Sequence, residues 1–194
     1  MILRAVKLAY EKHSERYPHI FWKIDLHGVC LRSSYKAGEY EWINDDVVPA
    51  LKEIMRCPHS KIILWSSCYE HEQEKIIKFF NDSGVHVDFF NENPMFANTE
   101  YGCFDQKFYF SILIDDKAGF DPDTEWKMIN DFLTERNKEV KLDLDTILNN
   151  IIVSNRKKIQ KEVDEECATG VLWLVKEMLN QAVEETKKYY DIPS

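Results

Sequence analysis

No run of apolar residues in the chain approaches the roughly 18 needed to cross a bilayer as a helix, so a membrane partner is not expected. Repeats and low-complexity segments are absent as well. The five cysteines (Cys30, Cys57, Cys68, Cys103 and Cys167) are odd in number and irregular in spacing. They offer no disulfide framework, and a reducing cytoplasm is the expected setting. Positive charge is in deficit: 25 lysines and arginines stand against 34 aspartates and glutamates, a formal net charge of −9. Such a surface has no overall attraction for nucleic acid or anionic lipid. A phosphate ligand would therefore need local cations or a metal. The start, Met1 to Tyr10, carries Arg4 and Lys7 among its apolar residues and does not read as a secretory signal. What is present is ordinary for a soluble globular chain: 194 residues, 44% apolar and 30% charged, enough for one well-buried domain and an appendage.

The pattern along the chain predicts three parts. Residues 1–17 read as a short amphipathic helix with Leu3, Val6 and Tyr10 on one side, ended by Pro18. Residues 18–124 alternate between strands and helices. Ile20 to Leu26 is a strand followed by Gly28, although Lys23 interrupts its apolar run. Asp46 to Arg56 is a helix, with Pro49 in the first turn where a missing N–H costs little. Lys61 to Trp65 is a second strand, Glu70 to Asn81 a helix closed by Gly84, Val85 to Phe90 a third strand and Phe108 to Ile114 a fourth. Residues 125–194 form a helical C-terminal extension with a break near Gly170; its apolar stripe is a packing face, with homo-oligomerisation a secondary use. Strands alternating with helices imply a parallel sheet with helices on both faces, and ligands gather at the carboxyl ends of such strands.

Those ends carry Asp25, Ser66, Asp115 and Asp116. Three carboxylates together repel one another and raise each other's pKa unless a cation is present. All-oxygen ligation suits Mg²⁺, which takes a few carboxylates plus water and substrate phosphate. With charge neutralised, one carboxylate can attack phosphorus, a serine can bind a phosphoryl oxygen, and a lysine can offset the remaining charge. Each residue alone has a plainer reading, as a loop cap, a solvated turn or a surface lysine. In register they are one site. Cys57-Pro58-His59 has no second ligand pair at zinc-like spacing and reads as a loop.

At this point a resemblance becomes specific. The segment Ile24-Asp25-Leu26-His27-Gly28-Val29 resembles the first motif of the haloacid-dehalogenase superfamily, and Ile63-Leu64-Trp65-Ser66-Ser67 its second. Lys107, preferred to Lys117, stands where the third-motif lysine is often found, and Ile112-Leu113-Ile114-Asp115-Asp116 is similar to the fourth motif. The resemblance covers about residues 20 to 121. It implies a three-layer α/β sandwich, Rossmann-like, with a parallel sheet in the order 3-2-1-4. Asp25 would be the nucleophile and a Mg²⁺ ligand, with the His27 backbone carbonyl, Asp115 and Asp116 completing the metal site. Ser66, with Ser67 beside it, and Lys107 would hold the phosphoryl group.

One position departs from the pattern. Phosphatases of this family carry a second aspartate as acid and base where this chain has His27. An imidazole can do that work near neutral pH, though with different geometry. The inserts Cys30 to Trp42 and Asn91 to Gln106 are too short for a cap domain, so the chain resembles capless members. The expected function is Mg²⁺-dependent hydrolysis of a phosphomonoester, on a small molecule or a macromolecule, through an Asp25 phosphoenzyme. The alternative is a protein that binds phosphate or a phosphorylated partner without turnover. A receiver-type domain is disfavoured because its acidic pair would precede the lysine. Dehalogenation would leave Asp115 and Asp116 unexplained.

Overall fold

A computed structural model of the chain describes residues 2–13, 17–33 and 38–139, with single positions beyond. Most of the extension expected over 125–194, including the break near Gly170 and any oligomer contact, lies outside the described residues. Helix α1 (Ile2–Glu11) precedes strand β1 (Ile20–Asp25), helix α2 (Val47–Arg56), strand β2 (Ser60–Trp65), helix α3 (Glu70–Asp82), and strands β3 (Phe89–Phe90) and β4 (Ile112–Ile114). A further helix, α4, covers 122–139. Among the described residues no helix is long and apolar enough to cross a membrane.

The four strands form an all-parallel sheet in the order β3-β2-β1-β4. This is the order expected, with β1 in the middle. Side chains alternate across a strand, and here the two sets part sharply. Trp22, Ile24, Ile62, Leu64, Ile112 and Ile114 join a buried core with Val6 of α1, Leu51 and Ile54 of α2, Ile76 and Phe80 of α3, and Trp126 and Leu133 of α4. The alternate positions Phe21 and Ile63 are buried outside that cluster. Phe21 packs on Phe96 and Tyr109, and Trp65 on Phe108. At the β4 edge Leu113 lies beside Ile2 and Ala5. A second full helical layer is not found among the described residues. Lys23 sits on this less covered face, which is why a charge is tolerated mid-strand.

Two strands are shorter than the apolar pattern predicts, for a shared reason. The Asp88 carboxylate accepts from the Ile62 N–H at 2.8 Å and from Lys61 Nζ at 2.9 Å, so a side chain occupies the ladder position before β3 begins. Likewise Ser111 Oγ accepts from the Phe21 N–H at 3.1 Å. Residues 108–110 leave the ladder and place Phe108 and Phe110 near Lys23. Local polar side chains can replace backbone partners in this way.

Among the described residues, 2–13 and 17–137 form one compact unit, which includes most of α4. The α4 stripe of Trp126, Ile129 and Leu133 is fully buried, and Trp126 Nε1 donates to Val29 O at 2.9 Å. Glu125 accepts from the Ile2 N–H at 3.0 Å, fastening α1 to α4. An apolar helical face has to be buried somewhere, and this one completes the core.

Candidate functional site

Parallel pairing lines up the strand ends. Asp25 is the register partner of Trp65, and Ile24 pairs with Ile114, so Ser66 and Asp115 emerge beside Asp25. After β1 the chain turns back at once: Cys30 and Leu31 N–H donate to Leu26 O at 3.0 and 2.8 Å, and the Gly28 N–H donates to Leu31 O at 2.7 Å. Gly28 has φ +85°, and a Cβ there would stand 3.3 Å from Asp116 Oδ2. Backbone conformation and space both call for glycine. His27 lies in this turn and is half-buried.

Beyond β4, Asp115 is extended and Asp116 opens a short 3₁₀ turn, Asp116–Ala118. Asp115 Oδ1 accepts from the Lys117 N–H at 2.8 Å, and Asp116 Oδ2 accepts from Lys117 Nζ at 2.6 Å. Asp116 Oδ1 is buried without a hydrogen-bond partner among the described residues. Asp25, Asp115 and Asp116 each present a carboxylate oxygen within 4.8 Å of the others. At that separation each ionised pair repels by roughly 3 kcal/mol at an effective dielectric of about 20. Burial pushes the Asp25 carboxyl above its ordinary range; the Leu26 N–H opposes the shift, Asp115 and Asp116 add to it, and His27 opposes it. An orphaned buried oxygen in an all-carboxylate cluster is what a hard divalent cation satisfies. The residues fit Mg²⁺.

Ser66 ends β2 in a clamp that the sequence did not reveal. Its N–H donates to Asn91 Oδ1 at 2.8 Å, and Asn91 Nδ2 donates to Ser66 O at 2.7 Å. Asn91 has φ 56°, in the left-handed region asparagine tolerates better than most residues. Ser66 Oγ accepts from the Cys68 N–H at 3.2 Å, and Ser67 beside it is exposed. The available signal was an Asn one residue past a strand end; on its own that is weak.

Lys107, expected to hold the phosphoryl group, donates its backbone N–H to Cys103 O at 3.1 Å. It is exposed and forms no ion pair among the described residues. The turn before it is held by its own bonds, with Asn98 Oδ1 accepting from the Phe104 and Asp105 N–H groups and Thr99 pairing with Gly102. Two other lysines are near. Lys117 is paired with Asp116 but largely exposed. Lys23 places Nζ 3.6 Å from the centroid of Trp65 and 5.1 and 5.4 Å from those of Phe108 and Phe110. Burial draws its pKa down, while Asp115 and Asp25 act to raise it. Of the neighbouring cysteines, Cys30 is buried, Cys68 partly buried and Cys103 exposed.

Compared with known proteins, the chain matches no family model, no curated protein and no solved structure. The chemistry of the site therefore rests on its own residues.

Proposed function

We propose that the protein is a Mg²⁺-dependent phosphomonoester hydrolase of haloacid-dehalogenase type, with Asp25 as its nucleophile. The observation that carries this reading is the convergence of Asp25, Asp115 and Asp116 at the ends of adjacent parallel strands, with an oxygen on Asp116 that has no partner among the described residues. Asp25, Asp115, Asp116 and the His27 backbone carbonyl would hold Mg²⁺. The ion, when bound, neutralises carboxylate repulsion and developing phosphoryl charge.

Asp25 attacks phosphorus, the bond to the leaving oxygen breaks, and an aspartyl-phosphate forms. His27 supplies the proton to the leaving alcohol, then takes one from the water that releases orthophosphate. Ser66, whose N–H is taken up by Asn91, and Ser67 offer hydroxyl donors at the strand end next to the nucleophile. A cytoplasmic phosphorylated compound, a small molecule or a macromolecule, is the substrate class.

A second reading, phosphate binding without turnover, is favoured by one observation: an imidazole stands where an acid two residues after the nucleophile would act. Purified protein assayed with Mg²⁺ on nucleotides, sugar phosphates and phosphopeptides separates the two. The hydrolase reading expects turnover that falls at least about a thousandfold in Asp25→Asn, about 4 kcal/mol of transition-state stabilisation. Turnover that survives Asp25→Asn contradicts it. An inactive wild type that binds orthophosphate, and gains nothing from His27→Asp, supports the second reading.

A further inference from the structure

We infer that Lys23 is the cation that grips the phosphoryl group, in the place the sequence motif would give to Lys107. The inference rests on the phosphate-transfer reading and deepens it. Lys23 lies two residues before Asp25 on the central strand, so both side chains emerge on one face of the sheet. Trp65, the register partner of Asp25, shares that face, and its ring lies 3.6 Å from Lys23 Nζ. Phe108 and Phe110 complete a three-sided aromatic cage around the ammonium.

A cage of this kind fixes the position of a cation without neutralising it. Lys23 is half-buried, yet among the described residues it has no ion pair and no hydrogen bond. Asp25 and Asp115 are close enough to favour its charge but do not bond to it. Its ammonium therefore has no oxygen acceptor among the described residues. A half-buried ammonium left without an acceptor is unfavourable, and an anion seated on the Asp25 side would supply one. Lys117, the other nearby cation, is already paired with Asp116 and stands largely in solvent. Lys107 is exposed.

The cage also explains why residues 108–110 leave the β4 ladder. Had they continued in it, Phe108 and Phe110 would not converge on Lys23.

The test is titration of orthophosphate into the full chain with saturating Mg²⁺, for wild type, Lys23→Gln, Lys23→Arg, Lys107→Gln and Lys117→Gln, with Mg²⁺ affinity measured separately. Loss of one charge-assisted contact should weaken orthophosphate about 10- to 100-fold in Lys23→Gln. Lys23→Arg should bind within a few-fold of wild type, since a guanidinium also stacks on Trp65. Mg²⁺ binding should persist in Lys23→Gln, because a lysine does not ligate a cation. Unchanged orthophosphate affinity in Lys23→Gln overturns the assignment, as does a loss that follows Lys107→Gln or Lys117→Gln instead. Joint loss of orthophosphate and Mg²⁺ in Lys23→Gln overturns it too, by showing a structural role. A wild type that binds Mg²⁺ but no orthophosphate overturns the phosphate reading itself, and this assignment with it.

Discussion

The two faces of the sheet are made by alternate residues of the same strands and do opposite things. One face is Trp22, Ile24, Ile62, Leu64, Ile112 and Ile114, wholly apolar and shut under helices. The other carries Lys23 and Asp25 on β1 and Trp65 on β2, half-buried among aromatic rings. The strand's period of two lets both programmes run through six residues without mixing. Stability is held on one side and charge on the other. A change that crosses from one side's role to the other's tests the division.

The largest effect is expected on the helical side. Leu64→Ala should destabilise the fold by about 2–5 kcal/mol through lost burial and a cavity, measured by urea unfolding. Lys23→Met, one strand over on the other face, should cost under about 1 kcal/mol. Equal costs would erase the distinction between the faces.

A smaller loss is expected where the strand ends are fixed. Asn91→Ala removes both bonds to the Ser66 backbone, and two such bonds contribute roughly 1–3 kcal/mol. Orthophosphate affinity should weaken with stability. If stability fell and phosphate affinity did not, the Ser66 turn would have no part in the site.

The smallest effects concern two carboxylates shifted in opposite senses. Asp25 is raised above its ordinary 3.8, first by burial. Its neutral form is favoured in the fold, so stability is lost as pH rises through the folded pKa. Asp25→Asn should therefore raise the midpoint of the metal-free chain at pH 7 by a few degrees, an advantage that fades below pH 3.8. Glu125 lies below its ordinary 4.5: burial acts to raise it, but the N–H groups of Ile2 and Asp121 outweigh that. Its contribution is present above pH 4.5 and lost as pH falls through the folded pKa. Glu125→Gln should be less stable at pH 7, with the difference closing in acid. Thermal melts from pH 3 to pH 8 check both signs, and shifts of the same sign would contradict the assignment.

The strands and the acid cluster were legible in the sequence because both follow from regular spacing: apolar runs set the strands, and parallel strands bring their ends together; the sheet order came from the resemblance. What was not legible depends on single side chains acting out of period. Asp88 and Ser111 cut two strands short by taking ladder positions, and neither looks different from any polar residue near a strand. That Trp126, Ile129 and Leu133 join the sheet's core was not legible either, because their helical spacing looks the same as that of the residues after them. Lys23 was visible as an anomaly, but its meaning needed Phe108 and Phe110, more than 80 positions away in the chain.

The central claim is that the acids at 25, 115 and 116 share one divalent ion. Calorimetric titration of Mg²⁺ into wild type and the Asp25→Asn, Asp115→Asn and Asp116→Asn variants measures it directly. One site per chain, weakened in all three variants, is the expected result. A wild type that takes up no Mg²⁺, or a site that none of the three changes weakens, would contradict it.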